Sequence, residues 1–195
     1  MRVPLRLPRR RGAPHNRRLT LLRDERGAAA IEFAIVALPF LLFLFAILGY
    51  GLYFFTATSL ESGVENAARK IRTGQAQKGD LTVGDFKNLV CKEAGSYISC
   101  DKLSVLVQNG SEWSDVTPLP CVDDENNMAG STGSSTDTIS NYTGEASQVV
   151  LVTVCYQWDL AEVFSFLGLG KGSDGDGPAI IQAATAFRTE PYQPS

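Results

Sequence analysis

His15 is the only histidine of this 195-residue chain, and it lies inside an arginine-rich N-terminal block. A Ser-His-Asp or Cys-His arrangement is therefore excluded from the rest of the chain, because both need an imidazole to take the nucleophile's proton. Ser–Lys pairs exist by composition, but no motif positions one, and no enzymatic activity is expected. Cys91, Cys100, Cys121 and Cys155 contain no CxxC pair and have no histidine to complete a ligand set, so no metal site is expected. Two acidic clusters, Asp123-Asp124-Glu125 and Asp174-Gly175-Asp176-Gly177, invite a calcium reading. The second lacks the twelve-residue calcium-loop pattern and its terminal glutamate. A solvated loop is the default reading of both, and no cofactor is expected. Asn109-Gly-Ser and Asn141-Tyr-Thr fit the glycosylation tripeptide, a pattern short enough to arise by chance.

Glu32 is the residue that most needs an explanation. It stands at the lip of a segment, Phe33 to Phe55, that holds no charged residue. As a helix those 23 residues run about 35 Å, enough to cross a hydrocarbon core. A carboxylate carried to the bilayer centre costs about 2.5–3.5 kcal/mol. Within the segment, Pro39 removes one backbone donor and predicts a kink, although a proline can also simply be tolerated in a span. Gly49 and Gly51 either admit close helix contact or loosen the span.

Charge is distributed unevenly about this segment. Residues 1–26 carry nine arginines against Asp24 and Glu25, a balance of +7, whereas Gly27 onward holds nine basic and nineteen acidic residues, a balance of −10. Thr56 to Ala68, on the far flank, has no Lys or Arg. The positive-inside rule then puts the N-terminus in the cytoplasm and the C-terminal domain across the membrane. Nucleic-acid binding is the competing reading of the basic block. It is disfavoured, because the block has no aromatics and leads straight into an apolar segment. The four cysteines all lie on the exported side, where an even count favours two disulfides in one of three pairings. Cys91 and Cys100 bracket a short turn and make the favoured pair, which leaves Cys121 for Cys155.

Three parts follow from these patterns: a basic cytoplasmic leader over 1–27, a helix over 28–75 and an exported domain over 76–195. Past the span, Leu60, Val64, Ala67, Ala68 and Ile71 recur at spacings of three and four and form one apolar face. Glu65 and Arg69 make an i,i+4 pair of favourable order on the polar side, and Gly74 ends the helix. A short helix is predicted over Thr82–Ala94, with Phe86, Leu89 and Val90 inward. Strands are predicted over Leu103–Gln108, with Asn109-Gly110 as a turn, over Val149–Trp158 and over Ala179–Arg188. On the second strand Val150, Val152, Val154 and Tyr156 share a face, and Val149, Leu151 and Cys155 the other. The polar stretch 123–147 reads as an exposed, mobile loop, and Gly168–Gly177 as a second flexible one. The expected fold class is α+β, a long N-terminal helix packed on an antiparallel sheet of about three strands.

The run RGAAAIEFAIVALPFLLFLFAILGYGLYF, with Gly27, Glu32, Phe33 and Pro39, followed by ENAARKIRTG, resembles the TadE-like family of tight-adherence (Flp) pilus assembly proteins. The ending Phe187-Arg188-Thr189-Glu190-Pro191-Tyr192 is similar too. The resemblance implies a prepilin-type signal cut by a prepilin peptidase between Gly27 and Ala28, with Glu32 at the fifth mature position. It also implies a pilin-like fold and a minor pseudopilin role, with pilin-like subunits, inner-membrane pilus machinery and the lipid bilayer as partners and no nucleic acid. The resemblance to pilins implies that the Glu32 carboxylate pairs with the new N-terminal amine of an adjacent subunit. Such a pair relieves the desolvation of both charges, while a carboxylate near the headgroups reaching water is the plainer account. Localisation would be the bacterial inner membrane, single-pass, with the exported domain periplasmic or carried into a pilus. Two other classes stand beside this one: a signal-anchored envelope protein with a ligand-binding exported domain, and a secreted protein cut near Ala57-Thr58-Ser59.

Overall fold

The computed structural model describes residues 27–169 and 179–191. The leader up to Arg26, His15, the Asp174–Gly177 cluster, most of the Gly168–Gly177 stretch and Tyr192 lie outside the described residues. The chain divides into two units, Met1–Phe45 and Ala46–Ser195. Helix α1, Ala28–Arg72, contributes to both and continues through Pro39.

In the first unit α1 is apolar on all sides, and the side chains of Ile31, Phe33, Ile35, Val36, Leu38 and Phe40 are all exposed. Length and composition suffice to cross a membrane.

The second unit is an α+β domain built on the other part of α1. After it come α2 (Gln75–Lys78), α3 (Val83–Ala94), β1 (Leu103–Gly110), α4 (Ser140–Thr143), β2 (Val149–Gln157), α5 (Leu160–Val163) and β3 (Ile180–Arg188), with single 3-10 turns between them. The strands form one antiparallel sheet in the order β1-β2-β3. Leu60, Val64, Ala67, Ala68 and Ile71 are all buried, as the spacing requires. They share a core with Phe86 and Val90 of α3 and with one face of the sheet, formed by Leu103, Val105, Val107, Val150, Val152, Val154, Tyr156, Ile181 and Phe187. Burying each such side chain contributes roughly 1.5–3 kcal/mol. Gly63 sets how closely α1 and α3 approach, since a Cβ there would stand 2.7 Å from the Ala94 amide nitrogen. Gly74, at φ 70°, terminates α1: its N–H donates to the Ile71 carbonyl at 3.0 Å, and that of Thr73 to Arg69.

Stretch 123–147 differs from its sequence reading. It is polar, but much of it is packed rather than free. Ile139 is fully buried in the main core. Thr132 N–H donates to the Val105 carbonyl, while Ser131 Oγ and Thr132 Oγ1 accept from Val105 and Val107 N–H at 3.1 and 2.9 Å. These bonds occupy the outer edge of β1, which would otherwise present unpaired backbone groups. The carbonyls of Asp137 and Ser135 accept from Val83 and Gly84 N–H, and Thr82 Oγ1 accepts from Asp85 N–H, so the first turn of α3 has its donors satisfied. Periodicity missed this because the segment is held largely by backbone and hydroxyl bonds, with apolar anchors at Met128, Ile139 and Tyr142 whose spacing fits neither a helix nor a strand.

Asn109-Gly110 is not a turn. Both residues stay in β1, opposite Val150 and Val149. The partner strand lies some forty residues on, so no reversal is needed there. Gly110 is required for close packing instead, since a Cβ would stand 2.6 Å from that of Asp115. Nor do Glu65 and Arg69 pair: the ion pair among the described residues joins Lys102 to Asp159. Two exposed, flexible side chains gain little from holding one geometry.

Disulfides join Cys91 to Cys100, with Cα atoms 5.5 Å apart, and Cys121 to Cys155, at 5.6 Å. The second ties the polar segment to the far face of β2, where Leu106, Cys121 and Cys155 form a small separate core. By the loop-closure argument the first is worth roughly 3 kcal/mol and the second, closing a longer loop, roughly 4. Chemical denaturation should therefore find the Cys121→Ala/Cys155→Ala double variant less stable than Cys91→Ala/Cys100→Ala. Gly63→Leu should lower stability by about 1–3 kcal/mol through overpacking against α3, with the denaturation midpoint as the readout.

Candidate functional site

Gly27, in 3-10 conformation, precedes α1 and Ala28 opens it, so the junction between them lies at the first residue of the α-helix. Gly27, Ala28, Glu32 and Phe33 are all exposed. Nothing lies within 4 Å of the Gly27 Cβ position.

Glu32 follows Ala28 by one helical turn, on the same side of the helix. Side chains lean toward the N-terminus of a helix, so the Glu32 carboxylate is directed back toward Ala28. Among the described residues it has no hydrogen-bond or ion-pair partner. If the chain is cut before Ala28, an ammonium forms within a turn of this carboxylate.

Phe33 begins a shallow apolar groove of about 380 Å³ along α1, lined by Phe33, Val36, Ala37, Phe40 and Leu41. Their spacing of i, i+3, i+4, i+7 and i+8 defines one stripe. Ala37 supplies the hollow and the larger side chains the ridges, a form that accepts a ridge from another helix or a lipid chain. Pro39 lies between groove residues, and α1 stays helical through it.

Other residues singled out from the sequence play different parts. Asp123 caps a turn, with its Oδ1 accepting from Glu125 and Asn127 N–H at 3.0 and 2.8 Å, so that carboxylate is engaged within its own loop. Among the described residues no group of three His, Cys, Asp or Glu is placed to hold a metal ion. Gly49 is buried, and Leu167 and Phe164 pack on it, whereas the space around Gly51 is open. The close contact at Gly49 is thus made by the chain's own β2–β3 connection, a long-range approach that no local pattern signals.

Two carboxylates outside the apolar segment are held below the ordinary carboxylate range. Asp137 is lowered by the Ser134 backbone N–H and then by the Tyr142 hydroxyl, Asp115 by the Glu112 backbone N–H and then the Ser111 hydroxyl. Both organise loops rather than a reaction centre.

Fold and site together define a protein with an apolar N-terminal helix that continues into a disulfide-bonded α+β domain. Residues 27–69 match the family model described as TadE-like protein, the family that the sequence resembles. The match begins at Gly27 and supports involvement in tight-adherence pilus assembly. No curated protein and no solved structure matches the chain.

A depressed folded-state pKa gives stability that is present above the unfolded carboxylate pKa and lost as pH falls through the folded one. Stability should therefore decline on acidification below about pH 4. Asp137→Asn should make that decline shallower in pH-dependent thermal denaturation.

Proposed function

We propose that this protein is a minor pseudopilin of a tight-adherence pilus and secretion machine. In this reading a prepilin peptidase cuts between Gly27 and Ala28. The basic leader stays cytoplasmic, Phe33–Phe55 is held in the inner membrane and the disulfide-bonded domain faces the periplasm. The subunit then assembles with pilin-like neighbours through its N-terminal helix. Its role is structural rather than catalytic.

The observation that carries this reading is the conjunction at the start of α1: an exposed glycine, a helix beginning at the next residue, and one carboxylate a turn later ahead of an unbroken apolar stretch. Each part has a physical use. The glycine leaves the junction accessible. The carboxylate answers the charge of a new amine at the edge of a low-dielectric region. The groove from Phe33 to Leu41 gives a neighbouring helix a surface to pack on.

Two substitutions test it in cells that assemble the pilus. Gly27→Leu should leave a membrane species larger by the leader on immunoblots. Glu32→Ala should insert and be processed but lower pilus yield in sheared-fibre preparations. Normal fibre yield with Glu32→Ala would count against the register role of that carboxylate.

A further inference from the structure

The connection between β2 and β3 carries an apolar surface that neither the core nor the site above absorbs. Over Leu160–Leu169 the sequence is LAEVFSFLGL, with a single charged residue, Glu162. Phe164 and Leu169 pack on the main core. Leu160, Val163 and Phe166 point outward, with 43, 68 and 55% of their surfaces exposed.

Its position gives that surface a meaning. Leu167 Cδ1 and Phe164 Cδ1 would stand 2.6 and 2.9 Å from a Cβ on Gly49. Gly49 lies within the uncharged stretch, six residues before its end at Phe55, about 9 Å along the helix. The connection therefore reaches back alongside the apolar stretch instead of ending above it. Interfacial elements bury their apolar faces by about 5–10 Å, which is the depth this contact sets. Aromatic residues surround the level where the stretch ends. Tyr53 packs edge-on against the buried Trp158, with ring centroids 5.5 Å apart, and beside them Phe55 and Tyr97, 57 and 46% exposed, lie 5.0 Å apart. Tyrosine, as at Tyr97, favours the membrane–water boundary because it combines an apolar body with a polar tip. Asp159, at the start of the connection, is neutralised by Lys102.

We infer that Leu160–Leu169 is a second membrane contact, with Leu160, Val163 and Phe166 inserted among the lipids of the leaflet facing the α+β domain. This rests on Phe33–Phe55 being the membrane span. The chain would then be held by a span and an interfacial wedge together, which restricts how its domain turns over the bilayer.

The test uses the full chain in nanodiscs of phosphatidylethanolamine and phosphatidylglycerol, with photoreactive benzoylphenylalanine at one position at a time. Sites 163 and 166 report on the wedge, 43 on the span and 113 on an exposed position in the α+β domain. Mass spectrometry after irradiation should find phospholipid adducts at 43, 163 and 166 and none at 113. Adducts at 43 without adducts at 163 or 166 would overturn the wedge and leave the span reading intact. Absence at all of 43, 163 and 166 would overturn both. Crosslinks from 163 and 166 mainly to a second copy of the chain would make this surface a subunit contact and overturn the lipid assignment.

Discussion

The domain depends on the burial of one helical stripe. Leu60, Val64, Ala67, Ala68 and Ile71 of α1 close one face of a three-stranded sheet, with Phe86 and Val90 of α3 completing the core. A sheet this small gains its stability from a covered apolar face, and α1, together with α3, supplies that cover. The same helix, nearer its start, has large apolar side chains exposed all round. One helix thus carries two surface patterns, and the change between them is written in its composition. All-round hydrophobicity suits lipid, whereas a single stripe beside Glu61, Glu65 and Arg69 suits a protein core with water behind it.

The other face of the sheet is covered differently. Few apolar residues are available there, so the chain uses a covalent bond and hydroxyl groups. Cys121–Cys155 pins the polar segment to β2, and Ser131 and Thr132 bond along the edge of β1. For a domain of this size, cross-links make up for a thin second core. The far end of the chain is fastened in the same style, by the Glu190 N–H to the carbonyl of Arg72 at the end of α1 and by Thr189 to Gln148. The α+β domain is in this way tied to the end of α1 as well as packed on its stripe.

Much of this was legible in the residues. The α1 stripe, the helix expected over Thr82–Ala94 and the alternation of β2 rest on short-range periodicity, which records which side of an element meets the core. The disulfide framework could be framed as a few pairings because cysteine is scarce. Long-range placement was hidden. Nothing local says that Ile139 enters the main core, that Gly49 is packed by Phe164 and Leu167, or that Asn109-Gly110 stays in a strand. In each case the deciding partner lies thirty or more residues away. Gly27, Glu32 and Phe33 draw attention for the opposite reason: their spacing is local, and a carboxylate beside an uncharged stretch is costly enough to stand out, so the role proposed for them rests on that pattern.

The mature N-terminus of the protein taken from native membranes, read by intact mass and N-terminal peptide sequencing, tests the central claim most directly. The account predicts a chain beginning at Ala28, with the carboxylate of Glu32 at its fifth residue. A chain beginning at Met1 would contradict prepilin-type processing and leave a plain signal anchor. A start near Ser59 would make the apolar stretch a cleaved signal and remove the anchor altogether.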